Sequence, residues 1–131
     1  MTPNEARARE TREWLAKVEE DLGSARVLTA AGHLAAALFH CQQAAEKALK
    51  AFLTWHDRPF SKTHDLKELG ESCREIDATL SLLAGDAEFL TDYAWKLRYP
   101  GTSYVPELDE AERMLSLAGR VSHQIRLRLP V

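Results

Sequence analysis

Apolar residues recur along most of this chain in steps of three and four, the spacing of one buried face of an α-helix. The clearest stretch runs from His33 to His56 and predicts a long helix. Its inner face would consist of Leu34, Leu38, Cys41, Ala45, Ala48, Phe52 and Trp55. Polar residues follow the same period on another face, where Glu46 and Lys50 are spaced for an i,i+4 ion pair. We expect the rest of the chain to pack around this helix.

A first helix is predicted to begin after Thr2, because Thr2, Pro3 and Glu5 have the pattern of a capping box with a proline at the first helical position. Its apolar stripe would consist of Ala8, Leu15, Val18, Leu22, Ala25 and Leu28. Ala31 and Gly32 supply a short turn. Such a short connection makes the first two helices antiparallel neighbours.

The second helix is expected to end near Asp57, because Pro59 prevents its continuation. Thr63 is the predicted N-cap of a third helix, with Asp65 and Glu68 placing negative charge at its N-terminus. The inner face of this helix would consist of Leu66, Leu69, Cys73 and Ile76.

The remaining pattern predicts two more helices. A short apolar segment after Asp77 ends before Gly85, and a fourth helical stripe then extends from Asp86 to Leu97. The last helix opens at Pro106 and Glu107, and its basic end consists of Arg120, His123, Arg126 and Arg128. No stretch alternates like a β-strand. The predicted fold is therefore all-α, a four- to five-helix up-and-down bundle in a single domain over residues 1–131.

Composition narrows the class of protein. A chain of 131 residues with 45% apolar residues can bury a sizeable core, and a net charge of -3 argues against a strongly basic nucleic-acid binder. Cys41 and Cys73 fall on apolar stripes and are interpreted as small buried hydrophobes. The sequence shows no signal-peptide pattern, which predicts the cytoplasm. The uncharged stretch 27–45 contains histidines and glutamines, which favours a core helix over a membrane span.

Three motifs occur in a fixed order: CQQAAEKALKAFL at 41–53, THDLKEL at 63–69 and RYP at 98–100. With the order of the predicted helices, they make the chain resemble the HEPN family, small helical domains of higher eukaryotes and prokaryotes associated with nucleotide and RNA biology. The resemblance implies a bundle that is frequently a homodimer. In bacteria or archaea it is often encoded beside a minimal nucleotidyltransferase as a toxin-antitoxin-like pair.

Many nuclease members of that family carry an arginine, a spacer of four to six residues and a histidine. The arginine would hold phosphate, and the histidine would transfer a proton while the RNA 2′-hydroxyl attacks the adjacent phosphorus. Arg98 takes the arginine position here, but Tyr104 stands six residues later and the next histidine is His123. A phenol with an ordinary pKa of about 10 is a poor base at neutral pH, although it donates hydrogen bonds to phosphate. Because the arginine of the motif is present, phosphate binding is expected. Because its histidine is missing, ribonuclease activity stays open.

The loop after the fourth stripe contains most of the candidate site residues. Arg98 offers forked donors that match phosphate, or alternatively caps the carbonyls at a helix end. Tyr99 and Tyr104 would stack on bases or bind phosphate, or else pack the loop against the bundle. His64, at the start of the third helix, is a candidate acid or base if the fold brings it near Arg98. The alternatives for His64 are a cap contact and a contact with phosphate or a partner.

Other polar residues have simpler interpretations. Glu46 and Lys47 are interpreted as a solvated or dimer-facing ion pair. Zinc signatures, a Walker loop and GxGxxG are absent from the sequence, so we expect no metal and no cofactor. Large aromatic residues favour a homodimer, whose interface would cover some of Trp14, Trp55, Tyr93 and Trp95.

Three functions are consistent with the sequence. The first is a dimeric module that binds RNA or nucleotide phosphate near Arg98 and Tyr104 and acts with a minimal nucleotidyltransferase. The second is a metal-independent RNA endonuclease toxin that uses Arg98 with His64 or Tyr104. The third is a scaffold bundle with no nucleic-acid role.

Overall fold

A computed structural model describes residues 1–101 and 103–131 of the chain. These residues form five α-helices and no strand, so the predicted all-α bundle is confirmed. The helices are α1 (Pro3–Ala31), α2 (Leu34–Trp55), α3 (Leu66–Ile76), α4 (Ser81–Ala87) and α5 (Leu108–Leu127). Two 3-10 segments, Ala78–Leu80 and Glu88–Ala94, flank α4.

The first two helices form an antiparallel pair, as predicted. The capping box is present, because Thr2 Oγ1 accepts a hydrogen bond from Glu5 N at 3.1 Å and the Glu5 carboxylate accepts one from Thr2 N at 2.8 Å. The C-cap of α1 is Gly32, whose φ of 82° lies in the left-handed region that favours glycine. Contacts between the helices, such as Arg7 with Trp55 and Asp21 with His40, run in opposite directions along the sequence.

The core is centred on α2, which packs against α1, α3, α5 and the second 3-10 segment. Burial in α2 extends beyond the predicted stripe and includes Gln42, Glu46 and Lys50. Alanines explain this difference, because their small side chains let neighbouring helices approach α2 from several sides. The buried alanines of α2 are Ala37, Ala44, Ala45, Ala48 and Ala51.

The predicted fourth helix, from Asp86 to Leu97, is wrong in its boundaries and partly in its type. α4 already begins at Ser81 and passes through Gly85, and the chain continues as the 3-10 segment Glu88–Ala94. The buried or half-buried residues Ala87, Leu90 and Tyr93 recur every three positions, which fits the three residues per turn of a 3-10 helix. A single glycine is also not sufficient to end a helix.

The start of α3 is also corrected. Asp65 is the N-cap, and its carboxylate accepts a hydrogen bond from Lys67 N at 3.0 Å. Thr63 instead accepts a hydrogen bond from Asp65 N at 3.0 Å. The segment before α3 is therefore fixed by two consecutive side-chain contacts, and it carries His64 between them.

The uncharged stretch 27–45 is divided between two helices. It contains the end of α1, the turn at Gly32 and the first half of α2. Among the helices that the structure describes, none has the length and hydropathy needed to cross a membrane.

Two helical glycines differ in the space around them, and we expect their replacement by alanine to have opposite effects. A Cβ on Gly70 of α3 would lie 2.9 Å from the Cβ of Ala84 in α4, whereas a Cβ on Gly23 of α1 would meet open space. Gly23→Ala should stabilise the protein by about 1 kcal/mol through helix propensity. Gly70→Ala should destabilise it, because overpacking costs about 1–3 kcal/mol. Urea unfolding of both variants measures the difference, and equal shifts would contradict the close contact of α3 with α4.

Candidate functional site

A row of buried polar side chains follows α2. Gln42, Glu46 and Lys50 are spaced by four residues and therefore share one face of the helix. As whole residues they are 0%, 3% and 8% exposed. Buried polar groups require partners, so the contacts of this row determine what it can do.

Glu46 is the centre of the row. Its Oε1 accepts a hydrogen bond from Gln42 Nε2 at 3.0 Å and contacts His64 Nδ1 at 2.6 Å. Its Oε2 accepts a hydrogen bond from Lys50 Nζ at 3.0 Å. Three donors from α2 and the segment before α3 thus satisfy one buried carboxylate.

Lys50 links this row to aromatic side chains. Its Nζ lies 5.7 Å from the centre of the Trp14 ring and 5.6 Å from that of Phe60, within the range of cation-π attraction. The two rings meet edge to face at 6.2 Å. The predicted i,i+4 pair of Glu46 with Lys50 is confirmed. The interpretation of Glu46 and Lys47 as a solvated or dimer-facing ion pair is wrong, because Glu46 is buried within the chain and Lys47 pairs with Asp21 instead.

His64 places an exposed imidazole beside this buried carboxylate. Its side chain is 65% exposed, whereas that of Glu46 is 4% exposed. Its backbone carbonyl accepts a hydrogen bond from Gln42 Nε2 at 3.2 Å, which fixes the segment on α2. In the tautomer that fits this contact, Nδ1 carries the proton and donates it to the Glu46 carboxylate, and Nε2 is then the acceptor nitrogen of the ring.

Arg98 lies against another part of α2. Its guanidinium carbon is 4.3 Å from the centre of the Phe39 ring and 5.9 Å from that of Tyr99. No carboxylate within residues 1–101 and 103–131 forms an ion pair with it, and the residue is exposed. Arg98 follows the 3-10 segment Glu88–Ala94, and among the described residues its side chain makes no hydrogen bond to a backbone carbonyl at the end of that segment.

His64 and Arg98 contact the same side of α2. Phe39 and Glu46 are seven residues apart, which returns to the same face after about two turns and corresponds to about 10 Å along the axis. The fold therefore places the predicted arginine and histidine over one helix face, although on different residues of it.

Tyr104 has a different neighbourhood. Its hydroxyl donates a hydrogen bond to one oxygen of Glu110, and that of Tyr93 donates to the other. The bond to Glu110 raises the pKa of Tyr104, whereas burial and then Glu110 raise the pKa of Tyr93. Burial alone would raise the pKa of Glu110, but the two phenol donors hold it below its usual value. Lys96 Nζ lies 5.8 Å from the Tyr104 ring.

The structure thus brings Arg98 and Tyr99 together and pairs His64 with Glu46, while the hydroxyl of Tyr104 is bound to Glu110. Thr102, in the same loop, lies outside the described residues. Sequence reasoning did not identify Glu46 as the partner of His64 or Phe39 as the support of Arg98.

A second polar cluster joins α1 to α2. The side chain of Asp21 is 9% exposed and contacts His40 Nδ1 at 2.8 Å and Lys47 Nζ at 2.6 Å. Because both oxygens of Asp21 are occupied, this cluster holds the two helices in register. Sequence reasoning did not identify Asp21 as the partner of Lys47.

The cysteines have no reactive character. Cys41 and Cys73 are free and buried, as predicted, and burial raises the pKa of each thiol to about 12. A thiol is nucleophilic only as a thiolate, so both are inert at neutral pH. Among the described residues, no group of three or more histidines, cysteines and acidic residues is arranged to hold a metal ion.

Comparison with known proteins agrees with this architecture. TT1696 from Thermus thermophilus superposes with a TM-score of 0.80 at 27% identity, covering 91% of this chain and 98% of that one. ST0689, an archaeal HEPN homologue, superposes with a TM-score of 0.72 at 23% identity, covering 90% of this chain and 96% of that one. None of the curated proteins matches the sequence. The HEPN domain family model matches residues 11–127, and the chain therefore belongs to the HEPN domain family.

Proposed function

We propose that this chain is a HEPN-type module that binds RNA or nucleotide phosphate through Arg98. The observation that carries the proposal is the position of the Arg98 guanidinium carbon over the Phe39 ring, 4.3 Å from its centre, with no acidic partner in the described part of the chain. Cation-π attraction by the Phe39 ring holds the guanidinium in place, and its N–H donors, which suit bidentate binding of phosphate, form no ion pair in the described part of the chain.

The neighbouring tyrosines would contact bases. Tyr99 is 65% exposed and close to the guanidinium, so a base can stack on its ring beside a bound phosphate. Tyr104 donates its hydroxyl hydrogen to Glu110, so its contribution would also come from the ring. In this proposal Arg98 supplies the phosphate contact, and the two rings supply stacking contacts that do not depend on the nucleotide sequence of the RNA.

We expect Arg98→Ala to weaken binding of a labelled single-stranded RNA about tenfold or more. The reason is that a hydrogen bond to a charged group contributes about 1.5–3 kcal/mol. Fluorescence anisotropy measures the affinity at two salt concentrations, because phosphate contacts depend on salt. Arg98→Lys should retain the salt dependence but lose the bidentate geometry and part of the affinity.

The matched control is Arg26→Ala, which removes an exposed arginine from α1. It should bind RNA as the unchanged protein does. If both variants lost the same RNA affinity, the effect of Arg98→Ala would come from the change in net charge alone. A large drop in melting temperature for Arg98→Ala would assign Arg98 a structural role instead.

We further propose that the module is a homodimer and acts beside a minimal nucleotidyltransferase in a toxin-antitoxin-like pair. Family membership supports both points, and Trp95 and Tyr99, which are 58% and 65% exposed, offer aromatic surface that a partner would cover. Light scattering of the purified protein determines the mass in solution. Coexpression with any nucleotidyltransferase encoded next to this chain determines whether the two proteins purify as a complex.

A second candidate function, metal-independent RNA cleavage, is favoured by the Glu46–His64 contact. A buried carboxylate that holds Nδ1–H orients an exposed imidazole so that Nε2 can act as a base. In this candidate His64 would remove the proton from a 2′-hydroxyl whose oxygen attacks phosphorus. The bond from phosphorus to the 5′-oxygen would break, the departing 5′-oxygen would take a proton from water, and Arg98 would hold the phosphate. Tyr104 is less suited as the base, because its bond to Glu110 raises its pKa.

If the protein cleaves RNA, His64→Ala should lower the rate by about 10²–10⁴-fold, the usual contribution of a general base. The assay uses structured RNA in the presence of EDTA and detects ends with a 2′,3′-cyclic phosphate. His33→Ala, in the exposed turn between α1 and α2, is the control and should cleave normally. Cleavage by His64→Ala at the unchanged rate would exclude this candidate, and binding without cleavage would favour the first function. If the protein bound no RNA even at low salt, the result would favour the scaffold function.

A further inference from the structure

The basic end of α5 contains four side chains, of which two bind other parts of the bundle and two face solvent. Arg126 donates hydrogen bonds to Leu15 O at 3.2 Å and to Glu19 at 3.1 Å, which ties α5 to α1. Arg128 donates to Asp77 at 3.2 Å and to Thr79 at 3.0 Å, which ties α5 to the first 3-10 segment. The remaining two, Arg120 and His123, are exposed and form no hydrogen bond or ion pair within the described ranges.

These two side chains line a groove between α4 and α5 that we name the α4–α5 groove. Its volume is about 510 Å³, and its wall residues include Leu82, Leu83 and Asp86 of α4 and Arg120, His123 and Arg128. Leu82 is 86% exposed although it is a large apolar side chain. The α4 wall of the groove therefore combines two leucines with one acid, Asp86, and the opposite wall carries the basic side chains.

We propose that the α4–α5 groove binds a small amphipathic carboxylate, a molecule with an apolar body and one anionic head. Its volume lies within the range of about 300–1,000 Å³ that is typical of small-molecule sites. The apolar body would cover Leu82 and Leu83, removing their surface from water. The head would meet the guanidinium of Arg120, whose donors match a carboxylate in pairs.

The charges of the wall favour a single anionic head over a nucleic acid or polyphosphate. Arg128 is already paired with Asp77, and Asp86 adds a negative charge to the opposite wall. Arg120 is therefore the principal cation left for a ligand. Nucleic acids need several cations along their backbone. The groove shares no residue with the Arg98 site, so its proposal stands independently of RNA binding.

The test is a titration of the ¹⁵N-labelled protein, followed by NMR, with three eight-carbon ligands that differ in their heads: octanoate, 1-octanol and octylammonium. Octanoate should shift the amide signals of α4 and α5 with a saturable curve below about 5 mM, whereas octylammonium should not. Arg120→Gln should lower the octanoate affinity about tenfold, to the level of octanol. Leu82→Ser should weaken octanoate and octanol alike. Arg12→Gln, an exposed arginine on α1, is the matched control and should bind octanoate normally.

Several results would overturn the proposal. Equal affinity for octanoate and octanol would show that Arg120 does not recognise the head. Shifts confined to other parts of the bundle, or none in α4 and α5, would show that the groove binds no such ligand. Shifts in the groove that follow protein concentration without ligand would identify a second copy of the chain as the occupant.

Discussion

Phe52→Ala is expected to lower the free energy of unfolding by about 3–5 kcal/mol. Phe52 is 1% exposed and lies in the part of α2 where burial is nearly continuous. Truncation removes apolar surface from the core and leaves a cavity that the surrounding helices fill only partly. Urea unfolding followed by circular dichroism should show a lower midpoint with an unchanged slope, because the native state keeps its compactness.

The control for this prediction is Phe89→Ala in the second 3-10 segment. Phe89 is 73% exposed, so its truncation should change the stability by no more than about 0.5 kcal/mol. If Phe52→Ala costs less than about 1 kcal/mol, the core is not centred on α2 and the packing described above is wrong. The comparison separates burial from the loss of an aromatic ring as such.

The parts of the fold that depend on local chemistry follow directly from the sequence. The capping box at Thr2, the left-handed turn at Gly32 and the stripe of α2 each involve residues within a few positions of one another. The region after α3 could not be predicted from local sequence in this way, because 3-10 and α-helical geometry differ by less than one residue per turn. The packing of Gly70 on Ala84 helps to decide where α4 lies, and it joins residues from two helices.

The candidate site divides in the same way. The RYP motif identified Arg98, but Phe39, whose ring lies under its guanidinium, is distant in sequence and carries no signal of that contact. The spacing of Glu46 and Lys50 predicted their ion pair correctly. It could not predict its burial, because the side chains that cover it, Trp14 and Phe60, come from α1 and from the loop before α3.

These observations give α2 two functions in one helix. Its small residues build the core, and its polar row supports the exposed His64 from inside the bundle. A change in that row therefore affects stability and the candidate site together, so the two effects must be measured separately. The free energy of unfolding reports on the buried pair of Glu46 and Lys50, and NMR signals of the imidazole report on the tautomer of His64.

Glu46→Ala is expected to destabilise the protein by about 3–5 kcal/mol, because it leaves a buried cation without its partner. The side chains of Glu46 and Lys50 are 4% and 10% exposed, so solvent screens the pair only weakly. The same variant should release the imidazole of His64, visible as a loss of the single Nδ1–H tautomer in ¹⁵N NMR spectra recorded under conditions where the protein is folded.

A double variant separates the cost of the unpaired buried lysine from the loss of the hydrogen bond to His64. Glu46→Leu with Lys50→Met removes both charges and keeps apolar volume, and such replacements are often neutral or stabilising. Its unfolding free energy should therefore lie well above that of Glu46→Ala while the His64 tautomer signal stays lost. If Glu46→Ala alone costs less than about 1 kcal/mol, the Glu46–Lys50 pair is solvated and the buried row cannot be what orients His64.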